Sequence, residues 1–306
     1  MIFYYCPDAF SFPSGGTRTL YRHVDILNAH GIEAAVLHHE PGFRLRWFEN
    51  ATRVVALPEA TATPDDWVVL TEGQAHVVPQ VFPGLRKVIF NQGCFNTFGN
   101  YPLGYTGAYH YEDVPAVMVS SEEIERYLKL AFPRSHIHRV VYGIDPALFF
   151  YDPSIKKEQI AIMPRKNLED IKQVLCILRA RGMTLPITMI HDVAYEETAR
   201  LLRESSIFLS FGHPEGFGLP PAEAMACGCT VVGYHGMGGR EFFKEPYAFP
   251  VTFGDIAEYV RAVERVLDGT LTVDRNGASL WIHQEYSLER ESETVLRCWK
   301  AILQQT

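Results

Sequence analysis

Glu215-Gly-Phe-Gly-Leu-Pro-Pro-Ala-Glu223-Ala-Met-Ala-Cys-Gly228 is the stretch on which the reading of this chain turns. Two carboxylates stand eight residues apart, with two glycines and a Pro-Pro pair between them. Proline is favoured in a helix's first turn, where its missing N–H would be unpaired in any case. Pro220 and Pro221 therefore predict a helix start, with Glu223 in the first turn. Gly216 and Gly218 let the backbone come close to a ligand. The N–H groups of Phe217, Gly218 and Leu219 then point out of a helix N-terminus, toward electronegative oxygen. Glu215 and Glu223 flank them as acceptors for hydroxyls, an arrangement suited to a sugar. A Glu near a helix start also serves as a cap or dipole partner, and for Glu223 taken alone both readings stand.

Outward from this block, short apolar runs alternate with helical patterns, the sign of βαβ units and parallel sheets. In the first half the expected strands are Ile2–Tyr5, Ala34–Leu37, Val54–Leu57, Trp67–Leu70, Val88–Phe90, Val114–Val119 and Ile137–Val141. Helices are expected from Ser14-Gly15-Gly16 to about Ala29, and from Ser120/Ser121 to Ala131. Residues 92–113, rich in Gly, Asn, Tyr and Phe, form a long loop of the kind that is usually functional or mobile. The second half repeats the pattern. Its strands are Ile160–Met163, Ile187–Ile190, Ile207–Ser210 and Thr230–Val232; its helices are Leu168–Arg181, Glu196–Ser205, Gly238–Lys244 and Asp255–Asp268, with two more in 276–304. In Asp255–Asp268 the apolar residues Ile256, Tyr259, Val260, Val263 and Leu267 recur at helical spacing. Tyr142-Gly-Ile-Asp-Pro146, punctuated by Gly and Pro, reads as the boundary between the halves. Two doubly wound domains are expected, and ligands bind such sheets beyond the carboxyl ends of their strands.

Composition narrows the function classes. The chain has 306 residues, which as a soft prior means two domains. A hydrophobic content of 47% and a charged content of 21% are those of a globular protein. The net charge of −8 disfavours nucleic acid as a partner. No Lys/Arg cluster marks an anionic membrane surface, and no apolar run reaches the roughly 18 residues of a spanning helix. The start, Met-Ile-Phe-Tyr-Tyr-Cys-Pro-Asp, reads as a first strand and not as a signal peptide. A cytoplasmic location is expected, with peripheral membrane contact left open. The six cysteines are scattered, which argues against a disulfide framework. Cys227-x-Cys229 has no partner pair at zinc-finger spacing, and His38-His39 and His136-x-His138 read as surface or strand-end histidines.

Two further spots could carry chemistry. Ser14-Gly15-Gly16-Thr17 follows the first strand and opens a helix, where backbone N–H groups can hold a phosphate. It is not G-x-G-x-x-G, and a simple turn is the competing reading. Arg165-Lys166 follow a strand and precede a helix; together they could neutralise a leaving diphosphate, or they could be solvated loop cations. The aromatic set Phe95, Phe98, Tyr101, Tyr105, Tyr109 and Tyr111 suits stacking on an acceptor, and equally suits packing the loop on its own domain.

The Glu215–Gly228 block, trailing Glu-Ala-Met-Ala-x-Gly included, resembles the E-x7-E motif of the retaining GT-B glycosyltransferases of family GT4. Tyr142-Gly-Ile-Asp-Pro146, with Phe149, is similar to the N-G-V-D…F segment that closes the first domain there, with Tyr in place of Asn. The resemblance implies a GT-B architecture: two facing Rossmann-like α/β domains with a cleft between them. Residues 1–145 would be the acceptor side and 150–285 the nucleotide-sugar donor side, with a C-terminal helix in 286–306 crossing back to the first. It implies a retaining, metal-independent transfer from a nucleotide-diphosphate sugar to a hydroxyl of a glycan or glycolipid, with no cofactor. Glu223 would hold the ribose, and Glu215 with the N–H groups of Phe217 and Gly218 the donor sugar. Lys166, Arg165, Gly15 and Gly16 would hold the phosphates. The family's Arg and Lys stand several residues apart, whereas here they are adjacent. A non-catalytic partner subunit with this fold and a nucleotide-sugar epimerase are the alternatives.

Overall fold

The computed structural model describes residues 1–8 and 13–304. The chain divides into two compact units: Met1–Tyr142 together with Glu289–Thr306, and Gly143–Leu288. The last two residues of the expected 286–306 segment lie outside the described residues.

The first unit holds strands β1 (Ile2–Tyr5), β2 (Ala34–His38), β3 (Val54–Ala56), β4 (Trp67–Thr71), β5 (Arg86–Asn91), β6 (Ala116–Val119) and β7 (Ile137–Arg139). They form one parallel sheet in the order β3-β2-β1-β4-β5-β6-β7. Helices α1 (Gly15–Ala29) and α2 (Glu122–Ala131) belong to it. Ser121 caps α2 by accepting from the Ile124 N–H, and Glu122, Glu123 and Glu125 sit in the first turn, where the helix dipole favours them. β4 and β6 read as near-continuous apolar runs because both faces are covered; Val68, Leu70, Val117 and Val119 are all buried. β6 starts two residues later than the apolar run suggests, because Pro115 has no N–H for the ladder.

The second unit holds β8 (Lys157–Ile162), α3 (Leu168–Ala180), β9 (Ile187–Met189), α4 (Tyr195–Glu204), β10 (Ser205–Ser210), α5 (Leu219–Ala226), β11 (Thr230–Gly233), β12 (Phe249–Pro250), α6 (Ile256–Leu267) and α7 (Arg275–Glu285). The sheet is again parallel, in the order β12-β11-β10-β8-β9. Ile160, Ile162, Leu209 and Val232 from the strands meet Ile171, Val174 and Leu178 of α3, with Tyr259 and Val263 of α6 in the same core. Each such side chain stabilises the fold by about 1.5–3 kcal/mol relative to exposure. The helix expected over Gly238–Lys244 is only a 3-10 turn, Gly238–Glu241. Met237 just before it has φ +74° and ψ −60°, outside both the extended and the left-handed helical regions.

A last helix, α8 (Leu288–Leu303), completes the first unit. Its Trp299 is fully buried, donates from Nε1 to the Tyr4 hydroxyl at 2.9 Å, and meets Trp67 edge-on at 6.0 Å. Thr294 Oγ1 accepts from the Val141 N–H at 3.0 Å, and Arg22 of α1 pairs with the buried Glu291. Among the described residues no helix is long and apolar enough to cross a membrane.

Candidate functional site

In the second unit the chain runs from β8 outward to β9, then returns to place β10 on the other side of β8. The order reverses between those two strands, and this is where an open α/β sheet leaves a crevice at its carboxyl edge. The loops that follow them are Met163–Asn167 after β8 and Phe211–Gly218 after β10. They line an open pocket, with Arg165, Lys166, Gly212, Glu215, Gly218 and Pro221 among its walls and Tyr234 and His235 joining from the turn after β11. Topology thus brings together residues about fifty positions apart in the chain.

Two local devices shape the loops. Asn167 takes a left-handed conformation, φ +52°, at the N-terminus of α3. Its amide donates to the carbonyls of Phe211 (2.7 Å) and His213 (3.0 Å), lashing one loop to the other. Gly218, at φ +95°, is the N-cap of α5, a conformation that disfavours any residue with a Cβ. Leu219 opens the helix and Pro220 and Pro221 follow within its first turn, as the Pro-Pro pair suggests.

A third segment braces the block. The turn after β11 pairs with it: Glu215 N–H donates to Gly236 O (2.8 Å), and Gly238 N–H to Glu215 O (3.2 Å). A Cβ on Gly238 would lie 2.0 Å from the Gly216 carbonyl oxygen, so only glycine permits this approach. Phe217 turns its ring inward, against Phe242 (4.9 Å) and Tyr286 (5.2 Å), and is buried.

The charged groups converge. Lys166 Nζ lies 3.0 Å from Glu215 Oε1 and also donates to the Pro214 carbonyl. Arg165 is exposed at the pocket wall. The His213 ring stacks on Phe253 at 3.9 Å. Burial, then the Lys166 ammonium, holds its pKa below the usual histidine value; Glu215 pulls it up and Arg240 pushes it further down.

Glu223 is the fifth residue of α5, beyond the first turn where the spelling places it. Leu219 comes before the proline pair in the helix and shifts the count by one. The cap position is Gly218, so Glu223 is not the cap. Its carboxylate is 4% exposed and its Oε1 accepts from the Tyr195 hydroxyl at 3.2 Å. Tyr195 is the first residue of α4 and rests on Phe149. Sequence reading missed Tyr195, since nothing local marks a contact across 28 residues. It also missed the tether made by Asn167, although Asn before a helix and able to adopt a left-handed conformation was a usable sign.

In the first unit Gly15 opens α1, and Ser14 is its N-cap. A Cβ on Gly16 would come 3.0 Å from Gln92 Oε1, the end of a flexible side chain. Gln92 Oε1 accepts from the Tyr142 hydroxyl at 2.6 Å. Arg18 is buried, 3% exposed. Asn91 is buried too, donating to Thr97 and Tyr111 at 2.8 Å each. The 92–113 loop is held largely by its own aromatics. Tyr111 stacks on Phe132 at 4.6 Å, Phe98 packs on Tyr109 and Phe132, and Tyr101, Tyr105 and Tyr109 pack on one another; Phe95 is exposed. Cys227 and Cys229 are buried free thiols, the second 3.6 Å from Lys156 Nζ. Among the described residues no three His, Cys, Asp or Glu side chains converge as a metal-holding group.

Comparison with known proteins bears on this geometry. Residues 166–277, which contain Lys166 and the Glu215–Glu223 block, match the sequence model of the family Glycosyl transferases group 1. An alpha-1,6-glucosyltransferase of Actinobacillus pleuropneumoniae serotype 7 (strain AP76) is 28% identical over 165 residues, 51% of this chain. The match takes in 47% of that relative, so the chain spans about half the length of the curated protein it matches. Sucrose-phosphate synthase from Thermosynechococcus elongatus superposes with a TM-score of 0.74 at 13% identity, over 100% of this chain and 99% of that one. HepE of Anabaena, solved with UDP and glucose, gives 0.70 at 13% identity, over 98% and 100%. At that identity the likeness is one of fold, and the fold is GT-B. The family match falls wholly within the second unit, and the likeness to the solved structures extends over both units as a likeness of fold.

Proposed function

We propose that the chain is a retaining glycosyltransferase that moves a sugar from a nucleotide-diphosphate sugar to a hydroxyl of a glycan or glycolipid acceptor. The observation that carries this reading is the Glu215–Glu223 block, folded as a glycine loop and helix N-terminus over a switch-point pocket that also holds Arg165 and Lys166. The second unit is then the donor side and the first the acceptor side. Glu223, steadied by Tyr195, takes the ribose hydroxyls. Glu215 and the N–H groups of Phe217 and Gly218 take the donor sugar, with Gly216 and Leu219 shaping the loop around it. Lys166 and Arg165 meet the diphosphate.

On this reading the protein supplies no nucleophile. Charge builds on the diphosphate as the glycosidic bond breaks, and fixed cations stabilise that charge more in the transition state than in the ground state. Orientation of donor and acceptor provides the rest. The acceptor hydroxyl attacks the face from which the diphosphate departs and passes its proton to the leaving phosphate oxygen, so the anomeric configuration is kept. The cations at 165 and 166 take the place of a divalent metal at the phosphates.

The test is a thermal-shift screen of UDP, GDP, ADP and their sugars, followed by NMR of the product made with the nucleotide sugar that binds. A ligand at 100 times its Kd raises stability by about 2.7 kcal/mol. A product of retained anomeric configuration, formed in EDTA, is the expected result. Inversion would refute the retaining assignment, loss of activity in EDTA the metal independence, and the absence of any shift the donor site itself.

A further inference from the structure

The wall of the switch-point pocket carries two cations, Arg165 and Lys166, and one carboxylate, Glu215. Lys166 is engaged by that carboxylate at 3.0 Å and by the Pro214 carbonyl. The two side chains are 40% and 33% exposed, so water weakens their attraction and the pair is readily exchanged. The backbone around it is fixed, by Asn167 on one side and by the Gly236–Gly238 turn on the other. The Glu215 side chain lies over Gly212, where a Cβ would come 3.1 Å from its Cγ and 3.2 Å from its Oε1, and its exposed carboxylate end reaches the ammonium. Ammonium and carboxylate can therefore part without moving the loops.

We infer that Lys166 exchanges partners. A diphosphate displaces Glu215 from the ammonium, and the released carboxylate then accepts hydrogen bonds from hydroxyls of the donor sugar. This rests on the donor-site reading given above and adds a consequence to it. An intact nucleotide sugar brings the hydroxyls that satisfy Glu215. A nucleoside diphosphate without its sugar brings none, and must break the ion pair while leaving a bare carboxylate beside its own charge. The pair thus discriminates against the sugar-free diphosphate, which is the leaving group of the transfer, and speeds its release.

The test is calorimetric titration of UDP, GDP and ADP into wild type, Glu215→Gln and Glu215→Asp, and into the same two variants carrying Lys166→Ala. Both single variants free the ammonium, the second while keeping the negative charge on a side chain one methylene shorter. The expected result is diphosphate binding about two- to fivefold tighter in both, the range spanned by an exposed ion pair. No gain is expected in the Lys166→Ala background, and no gain for the nucleotide sugar. Unchanged or weaker diphosphate binding in both variants, at unchanged melting temperature, overturns the exchange. So does a gain confined to Glu215→Gln that survives Lys166→Ala, since that is simple repulsion between carboxylate and phosphate. A wild-type protein that binds neither diphosphates nor nucleotide sugars overturns the donor-site reading itself.

Discussion

Gly238→Ala probes whether the turn after β11 holds the Glu215–Gly218 loop in place. The added Cβ would lie 2.0 Å from Gly216 O, 2.3 Å from Gly216 C and 2.7 Å from Phe217 N, all of them backbone atoms. Real Cβ contacts essentially never fall under 3.0 Å, so the two segments must part by about 1 Å. Such overpacking costs about 1–3 kcal/mol. Losing the bond from Gly238 N–H to Glu215 O adds about 1 kcal/mol. At about 2–4 °C per kcal/mol the melting temperature should fall by about 4–15 °C. A displacement of about 1 Å in the segment bearing Glu215 and the 217–218 N–H groups should lower turnover about 100-fold. Two other glycines calibrate the result. At Gly212 the nearest atoms are flexible ones of the Glu215 side chain, so Gly212→Ala should weaken donor binding with little change in melting. At Gly254, with φ +81° and open space around it, alanine should cost about 1 kcal/mol of backbone strain and leave kinetics unchanged. Differential scanning calorimetry and steady-state kinetics with the identified donor read all three. Wild-type melting and wild-type kcat/KM in Gly238→Ala would refute the bracing role of the turn.

Glu223→Gln should weaken donor binding and lower turnover while the protein stays folded; unchanged affinity by calorimetry would remove the ribose role. Tyr195→Phe should weaken binding about three- to tenfold, and should add nothing in a Glu223→Gln background, since residues in contact are non-additive; additive losses would separate the two. Lys166→Ala should lower kcat more than it raises the donor Kd, as expected of a cation that meets growing charge. A raised KM at constant kcat would make its contribution uniform binding. His213 has a pKa depressed below 6.5, so the unfolded chain takes up its proton first as pH falls. Stability should therefore be lost as pH drops from about 6.5 through the lower folded-state value, less so in His213→Gln. A wild-type profile identical to that of His213→Gln would discount the ring.

The block at 215–228 was legible because its conformational demands are written in residue types. Gly218 has to be left-handed and the prolines have to open a helix, and both follow from local sterics. The alternation of strands and helices was legible for a similar reason, since strands buried on both faces are apolar throughout. What escaped depends on contacts between distant segments. The Glu215–Met237 bridge and the Tyr195–Glu223 bond have no local spelling. β12 is two residues long and includes a proline, too short for any periodic signal. At Gly16 the spelling invites a phosphate reading, while the Gln92 side chain that lies beside it has no local signal. The 3-10 helix Glu72–Val77 was a plain omission, because Thr71-x-x-Gln74 before it spells a capping box.

The burial of Trp299 against Tyr4 and Trp67 has a bearing on how the protein is made. The first unit is interrupted: residues 1–142 emerge from the ribosome before the second unit, and the helix that seals their core only after it. At roughly 5–20 residues per second, some 150 residues of the second unit are synthesised in between, leaving the nascent first sheet open for about 7–30 s. Residues 143–288 are contiguous and need no such wait. The early half is therefore the natural client of ribosome-associated chaperones, and a fragment ending at 142 should aggregate where a fragment spanning 143–288 stays in solution. Appending residues 288–304 to the first fragment through a flexible linker should restore its solubility.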